Sequence, residues 1–167
     1  MPEFMLESSG EVLGQEYDDL HPFTRGYIEA MFFTENSPCY YMTEWFSDET
    51  QEALREGTAD GSIPYDAGYS DIDPDSMIRI HSDCLAFRRN NDHWISMAYA
   101  RDYDVMQAGR DFWFTRNGHG VGFWDRKELE TDGLGDKLSE AARDFGQVSV
   151  SFERNGESPT GYGYVTC

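Results

Sequence analysis

A chain of 167 residues with 15% aromatic side chains is long enough for one ordinary globular domain and too aromatic to be a disordered acidic tail. Its 32 Asp and Glu outnumber 13 Lys and Arg, for a net charge of −19, and Lys127 and Lys137 are the only lysines. No basic stripe is therefore present to grip a phosphate backbone, which disfavours direct nucleic-acid binding. The sequence contains no apolar run long enough to span a bilayer and does not open on a basic region followed by an apolar one, so neither membrane insertion nor secretion is indicated.

Residues 1–18 read as a flexible or expression-derived start, in which Met1-Pro2-Glu3-Phe4 precedes Met5 as the natural first residue. Residues 19–167 are expected to form a single domain. Asp19 can cap a helix with His21-Pro22 in its first turn, and Phe23, Tyr27, Ile28 and Met31 recur at helical spacing, predicting a helix over about 20–33. Asn36-Ser37-Pro38 ends that pattern. The aromatic cluster Tyr40, Tyr41, Trp45 and Phe46 then leads into a short acidic helix, with Ser47 or Asp48 as its cap and Gly57 just past its end.

Residues 57–72 mix Gly, Pro, Asp and Tyr without a period and read as a loop. Asp73-Pro74 starts another helix, with Met77, Ile80, Cys84 and Phe87 facing inward. A further helix from about Asp92 to Met106 would bury Ile95, Ala98, Tyr99 and Met106, and Gly109 would close the helical part of the domain, residues 19–108.

The stretch Arg110–Asp125 is the most strongly patterned. Asn117-Gly118 tolerates two consecutive positive φ angles and lies between aromatic runs, which predicts a β-hairpin with a type I′ turn. Its register pairs Arg116 with His119, Phe114 with Val121, Phe112 with Phe123 and Arg110 with Asp125. Phe112, Phe114, Val121 and Phe123 share one face, and Trp113 and Trp124 lie on the other beside Gly120 and Gly122.

Leu134, Leu138, Ala141, Ala142 and Phe145 then repeat at helical spacing up to Gly146. That helix should pack on the phenylalanine face of the hairpin. Val148, Val150 and Phe152 alternate with polar residues, Asn155-Gly156 is a second hairpin turn, and a last strand is expected around Tyr162 to Val165. The expected fold is α+β: N-terminal helices packed with a C-terminal antiparallel sheet of ββαββ order over residues 109–167.

Cys39, Cys84 and Cys167 are odd in number and widely spaced, which argues for reduced thiols, with Cys84 buried, and against a disulfide framework or a structural zinc site. His21, His81, His93 and His119 show no metal-ligand spacing. Asp71, Asp73 and Asp75 resemble the start of a calcium loop, but Pro74 and the missing glycine and distal glutamate break that pattern. No metal and no cofactor is expected, and no nucleophile elbow, P-loop or dinucleotide fingerprint occurs.

The block Ala108–Asp125, followed by Leu134–Ala142 and Phe145-Gly146, resembles the C-terminal block of small uncharacterised acidic proteins encoded by bacteriophages and conjugative elements. The resemblance covers about forty residues densely and implies a mobile-element origin without a known chemistry. Small, strongly acidic proteins of such elements often resemble inhibitors of restriction or CRISPR defence that imitate DNA, an analogy of class and not of motif.

Charge distribution points the same way. Residues 1–80 hold 18 carboxylates and three arginines, a net of −15, whereas residues 81–167 hold 14 carboxylates and ten basic residues, a net of −4. The expected partner-binding residues are Glu44, Asp48, Glu49, Glu52, Glu56, Asp60, Asp66, Asp71, Asp73 and Asp75, whose carboxylates would stand in for phosphates in a basic groove. The expected partner is a basic nucleic-acid-binding host protein, met in the cytoplasm of a bacterial cell. Arg116 and His119 are a secondary contact. The alternatives are an enzyme using that pair on a nucleotide-like substrate, and an accessory interaction protein with a solvated acidic surface.

Overall fold

A computed structural model describes residues 10–35, 68–154 and 163–167. Over these the protein is mostly helical, with α1 (Pro22–Glu35), α2 (Pro74–Asn90), α3 (Asp92–Tyr99), α4 (Val105–Arg116) and α5 (Leu134–Arg143). Two short antiparallel pairs accompany them: β1 (Glu11–Val12) with β2 (Gln15–Glu16), and β3 (Ser151–Arg154) with β4 (Gly163–Thr166). The expected α+β arrangement with a ββαββ sheet over 109–167 therefore does not form. The chain divides into two compact units, Met1–Asp19 with Phe32–Met77 and Ser149–Cys167, and Leu20–Met31 with Ile78–Val148.

The principal correction concerns Arg110–Asp125. Val105–Arg116 is a helix, and Asn117-Gly118 ends it instead of turning a hairpin. Gly118 takes φ +72, its N–H donates to Thr115 O at 3.3 Å, and the His119 N–H donates to Phe114 O at 2.9 Å. That pair of bonds is a Schellman cap, completed by an edge-on contact of the His119 and Phe114 rings at 5.9 Å. A glycine with positive φ serves a helix end and a hairpin turn equally well, so the dipeptide alone does not discriminate. The helix is decided by what it buries: Ala108, Gly109, Asp111, Phe112, Trp113, Thr115 and Arg116 recur at helical spacing. The Asp104 side chain caps its start, accepting from Gln107 N at 2.9 Å.

Gly109 lies in the middle of α4 and not at a boundary. A Cβ there would come 1.8 Å from Phe23 O, and one on Gly26 of α1 would come 2.0 Å from Met106 O. The two helices thus cross backbone to backbone at a pair of glycines. Around the crossing, Phe112 stacks on Phe87 of α2 at 4.2 Å, Tyr27 meets Trp113 edge-on at 5.2 Å, and Phe123 stacks on Phe87 at 5.7 Å. These rings are essentially excluded from solvent, and such pairings contribute beyond area burial alone.

The other elements follow the sequence more closely. Helix α1 forms where expected, with Phe23, Tyr27, Ile28 and Met31 buried, and α2 buries Met77, Ile80, Cys84 and Phe87. The expected helix from Asp92 to Met106 is split. Its chain turns at Asp102, with φ +61, a conformation Asp tolerates, before α4 begins. Helix α5 forms with Leu134, Leu138 and Ala142 buried. Instead of covering a hairpin, its N-terminal turn meets the 3-10 turn at Phe123–Asp125, where a Cβ on Gly135 would reach Phe123 O at 2.7 Å.

In the first unit, a two-residue turn with positive φ at Leu13 and Gly14 joins β1 to β2, and Tyr17 packs edge-on against Tyr69 at 5.8 Å. At the C-terminal end, β3 pairs with β4 in the register Ser151↔Thr166 to Arg154↔Gly163. The expected Asn155-Gly156 turn, the aromatic cluster at 40–46 and the short helix after Asp48 lie outside the described residues.

The expected Asp19 cap is replaced by His21, whose Nδ1 accepts from Phe23 N at 3.1 Å while its carbonyl accepts from Arg25 N. A ring nitrogen that accepts must be unprotonated. Burial pushes the His21 imidazole below its ordinary value of 6.5, and Arg88 and Arg25 push the same way; burial lowers His81 too. The unfolded chain therefore binds more protons, so this stabilisation is complete above pH 6.5 and is lost as pH falls through the depressed folded value.

Three outcomes are expected. Gly109→Ala should destabilise the fold by about 3 kcal/mol, the upper end of overpacking penalties, as read by urea unfolding. Gly120→Ala, where an added Cβ meets nothing within 4 Å, should leave the midpoint unchanged. His21→Asn, which keeps a capping acceptor without titrating, should show a smaller fall in melting temperature between pH 7.5 and 5.5 than the parent chain; equal falls would exclude His21 as a contributor.

Candidate functional site

Of the ten carboxylates expected to face a partner, Glu44, Asp48, Glu49, Glu52, Glu56, Asp60 and Asp66 lie outside the described residues. The other three sit close together in sequence, but two of them have local structural work. Asp71 Oδ2 accepts from Gly68 N at 2.7 Å, closing the turn at Tyr69–Asp71. Asp73 Oδ2 accepts from Ser76 N at 3.2 Å and so caps α2. Asp75 is exposed in the first turn of α2, where a negative charge also complements the helix dipole.

Arg116 is not a surface contact. Its side chain retains 3% of its exposure, and it ion-pairs with Asp83 at 2.7 Å. It also donates to Tyr27 OH, Gly146 O and Phe145 O at 3.1, 2.9 and 3.2 Å. The guanidinium carbon lies 5.3 Å from the centre of the Phe112 ring. The ion pair and the three hydrogen bonds tie α4 to α1, to α2 and to the carbonyls just past α5. Four of its five N–H donors are thereby taken, and the side chain is nearly excluded from solvent. Arg116 and His119 do not meet across a hairpin: His119 follows the helix cap, and its Nε2 is buried without a partner among the described residues. The enzyme reading of this pair therefore loses its cation.

A second buried charge was not anticipated. Asp111 is completely buried. It accepts from Tyr103 OH at 2.5 Å and from Gln107 Nε2 at 3.1 Å, and it takes Arg126 in two parallel bonds at 2.7 and 2.5 Å. Burial, then the Asp111 charge, push the Tyr103 phenol far up, so it stays a donor. The hydrogen bond to Asp111, with burial opposing it, raises Arg126 further. All three partners stabilise a carboxylate on which two elements converge. The expected hairpin gives Asp111 no role; its spacing of four residues from Gln107 was the available signal.

Other arginines are similarly engaged. Arg110 pairs with Glu29 through Nε and Nη2 at 3.1 and 3.0 Å, not with Asp125 as the hairpin register implied. Arg101 pairs with Asp132 at 2.6 Å and donates to Thr131 O, fastening the turn before α5. Outward-facing charge is unbalanced as the composition is. Fifteen described Asp and Glu are exposed against five Arg and Lys. Among the exposed acids, Asp136, Glu140 and Asp144 recur every four residues along α5 and its cap.

Among the described residues no helix is long and apolar enough to cross a membrane, and no cluster of His, Cys, Asp and Glu has the makings of a metal site. No protein-family model, curated protein or solved structure matches the chain.

Arg116→Met is expected to cost about 3 kcal/mol, within the range for breaking a buried ion pair, measured by chemical unfolding. A variant as stable as the parent would show that the Arg116 contacts do not hold α4, α1 and α2 together.

Proposed function

We propose that the protein is a non-enzymatic inhibitor of a host nucleic-acid-binding defence complex of the CRISPR or restriction kind, occupying a basic groove with carboxylates where DNA would present phosphates. The observation that most supports this is the excess of exposed carboxylates over exposed cations. Pairing of Arg101, Arg110, Arg116 and Arg126 with Asp132, Glu29, Asp83 and Asp111 takes up cations and carboxylates in equal number, so the excess is that of the composition itself. A surface of this kind attracts basic partners over long range and in a salt-sensitive way.

The acidic segment Glu44–Asp66 adds seven carboxylates to those described. Rows such as Asp136, Glu140 and Asp144 place one charge about every 6 Å of helix axis, whereas duplex DNA carries one about every 1.7 Å. A single row is thus too sparse, and mimicry requires several acidic segments to act together. The mobile-element origin implied by the block at 108–146 fits an anti-defence role.

The immobilised chain is expected to retain nucleic-acid-binding proteins from a bacterial lysate, to release them in salt steps, and to lose them to added duplex DNA that competes for the same groove. Replacing Asp48, Glu49, Glu52 and Glu56 by Lys should weaken that capture at least about a hundredfold, given the cost of like charges across an interface, without lowering the melting temperature. Retention undiminished by the four reversals would rule the proposal out.

A further inference from the structure

Among the described residues of the second unit, Trp124 is the one exposed aromatic ring that keeps more than a third of its surface, 38%, and Val121, three residues earlier, keeps the same fraction. The indole is not loosely held. Gly122 lies so close beneath it that a Cβ there would come within 2.3 Å of a ring carbon, and the Arg143 guanidinium lies 5.4 Å from the ring centre. Gly122 is itself fixed by neighbouring Phe123, whose N–H donates to Thr115 Oγ1 at 3.3 Å. A rigid, half-open tryptophan loses little freedom on binding, which is why such residues anchor interfaces.

Its surroundings specify the occupant. Asp125 adjoins it in sequence, and Glu140 and Asp144 flank Arg143 on α5 and its cap; all three are exposed and none forms an ion pair among the described residues. An aromatic face that already accommodates one guanidinium, on elements that carry these exposed carboxylates, suits a second one.

We propose that Trp124, with the exposed carboxylates of Asp125 next to it in sequence and of Glu140 and Asp144 on the helix and cap that carry Arg143, is the docking point for an arginine-rich segment of the protein partner, whose guanidinium takes the place of Arg143 over the indole. This rests on the proposed function in taking the partner to be basic, and it adds a fixed anchor to what is otherwise diffuse electrostatics. The carboxylates steer the segment, and the indole holds one side chain in register.

The probe is a fluorescein-labelled peptide of alternating Arg and Ser, titrated against the full chain by fluorescence anisotropy at several salt concentrations. The parent chain should bind with marked salt dependence. Trp124→Ala should bind about tenfold more weakly, the size expected for losing an aromatic anchor with its cation contact. Because Trp124→Ala could disturb packing against Gly122, tryptophan emission is read in parallel: the change that peptide binding causes in the parent should vanish in Trp124→Phe. If Trp124→Ala binds as the parent does, or if the emission change persists in Trp124→Phe, the docking point is wrong and the electrostatic function stands. If the parent shows no salt-dependent binding at all, both fail.

Discussion

Helices α1 and α4 approach until backbone meets backbone, and that approach is possible only because Gly26 and Gly109 present no side chain at the crossing. Each glycine faces a carbonyl of the opposite helix, from Met106 and Phe23. The close approach brings Tyr27 against Trp113 and Phe23 against Phe112, and sets Phe112 on Phe87. A side chain at either position would spread the helices and loosen every ring pair around them. Helical glycine carries an intrinsic penalty of about 1 kcal/mol, which the close-packed aromatic core offsets.

Two buried charges reinforce the same helix. Arg116 at the end of α4 is ringed by Asp83, Tyr27 and the carbonyls of Phe145 and Gly146, while Asp111 one turn earlier gathers Tyr103, Gln107 and Arg126. Buried ion pairs of this quality do more for geometry than for net stability, since desolvation cancels much of the attraction. Here they fix the rotation of α4 and tie down the segment that follows Phe123. Each takes one arginine and one carboxylate out of play together, so the acidic excess of the composition remains on the outer surface.

That excess of exposed carboxylates is what the proposed role depends on. The exposed indole of Trp124, held between Gly122 and Arg143, supplies a defined point on a surface where carboxylates outnumber cations. Like charges attract a basic partner without orienting it; a fixed aromatic ring can orient it.

The residues themselves determined much of the helical framework. Phe23 to Met31, Met77 to Phe87 and Leu134 to Ala142 each carry a helical stripe that admits one reading, and Asp73-Pro74 and Gly146 mark element ends by rules that need no tertiary contact. Cys84 was legible as buried for the same reason, and the overall negative charge needs only the composition. Tertiary structure decided the identity of 110–125. There, Phe112-Trp113-Phe114 is apolar on every face, so neither a period of two nor one of 3.6 stands out, and Asn117-Gly118 is as good a helix cap as a hairpin turn. What settled it was distant: carbonyls of α1 waiting for a glycine at 109, Arg126 for a carboxylate at 111, and Asp83 and Tyr27 for the guanidinium at 116. Such partners lie from 15 to 89 residues away in the chain, beyond the reach of any local pattern, because burial and charge pairing are satisfied in space and not along the sequence.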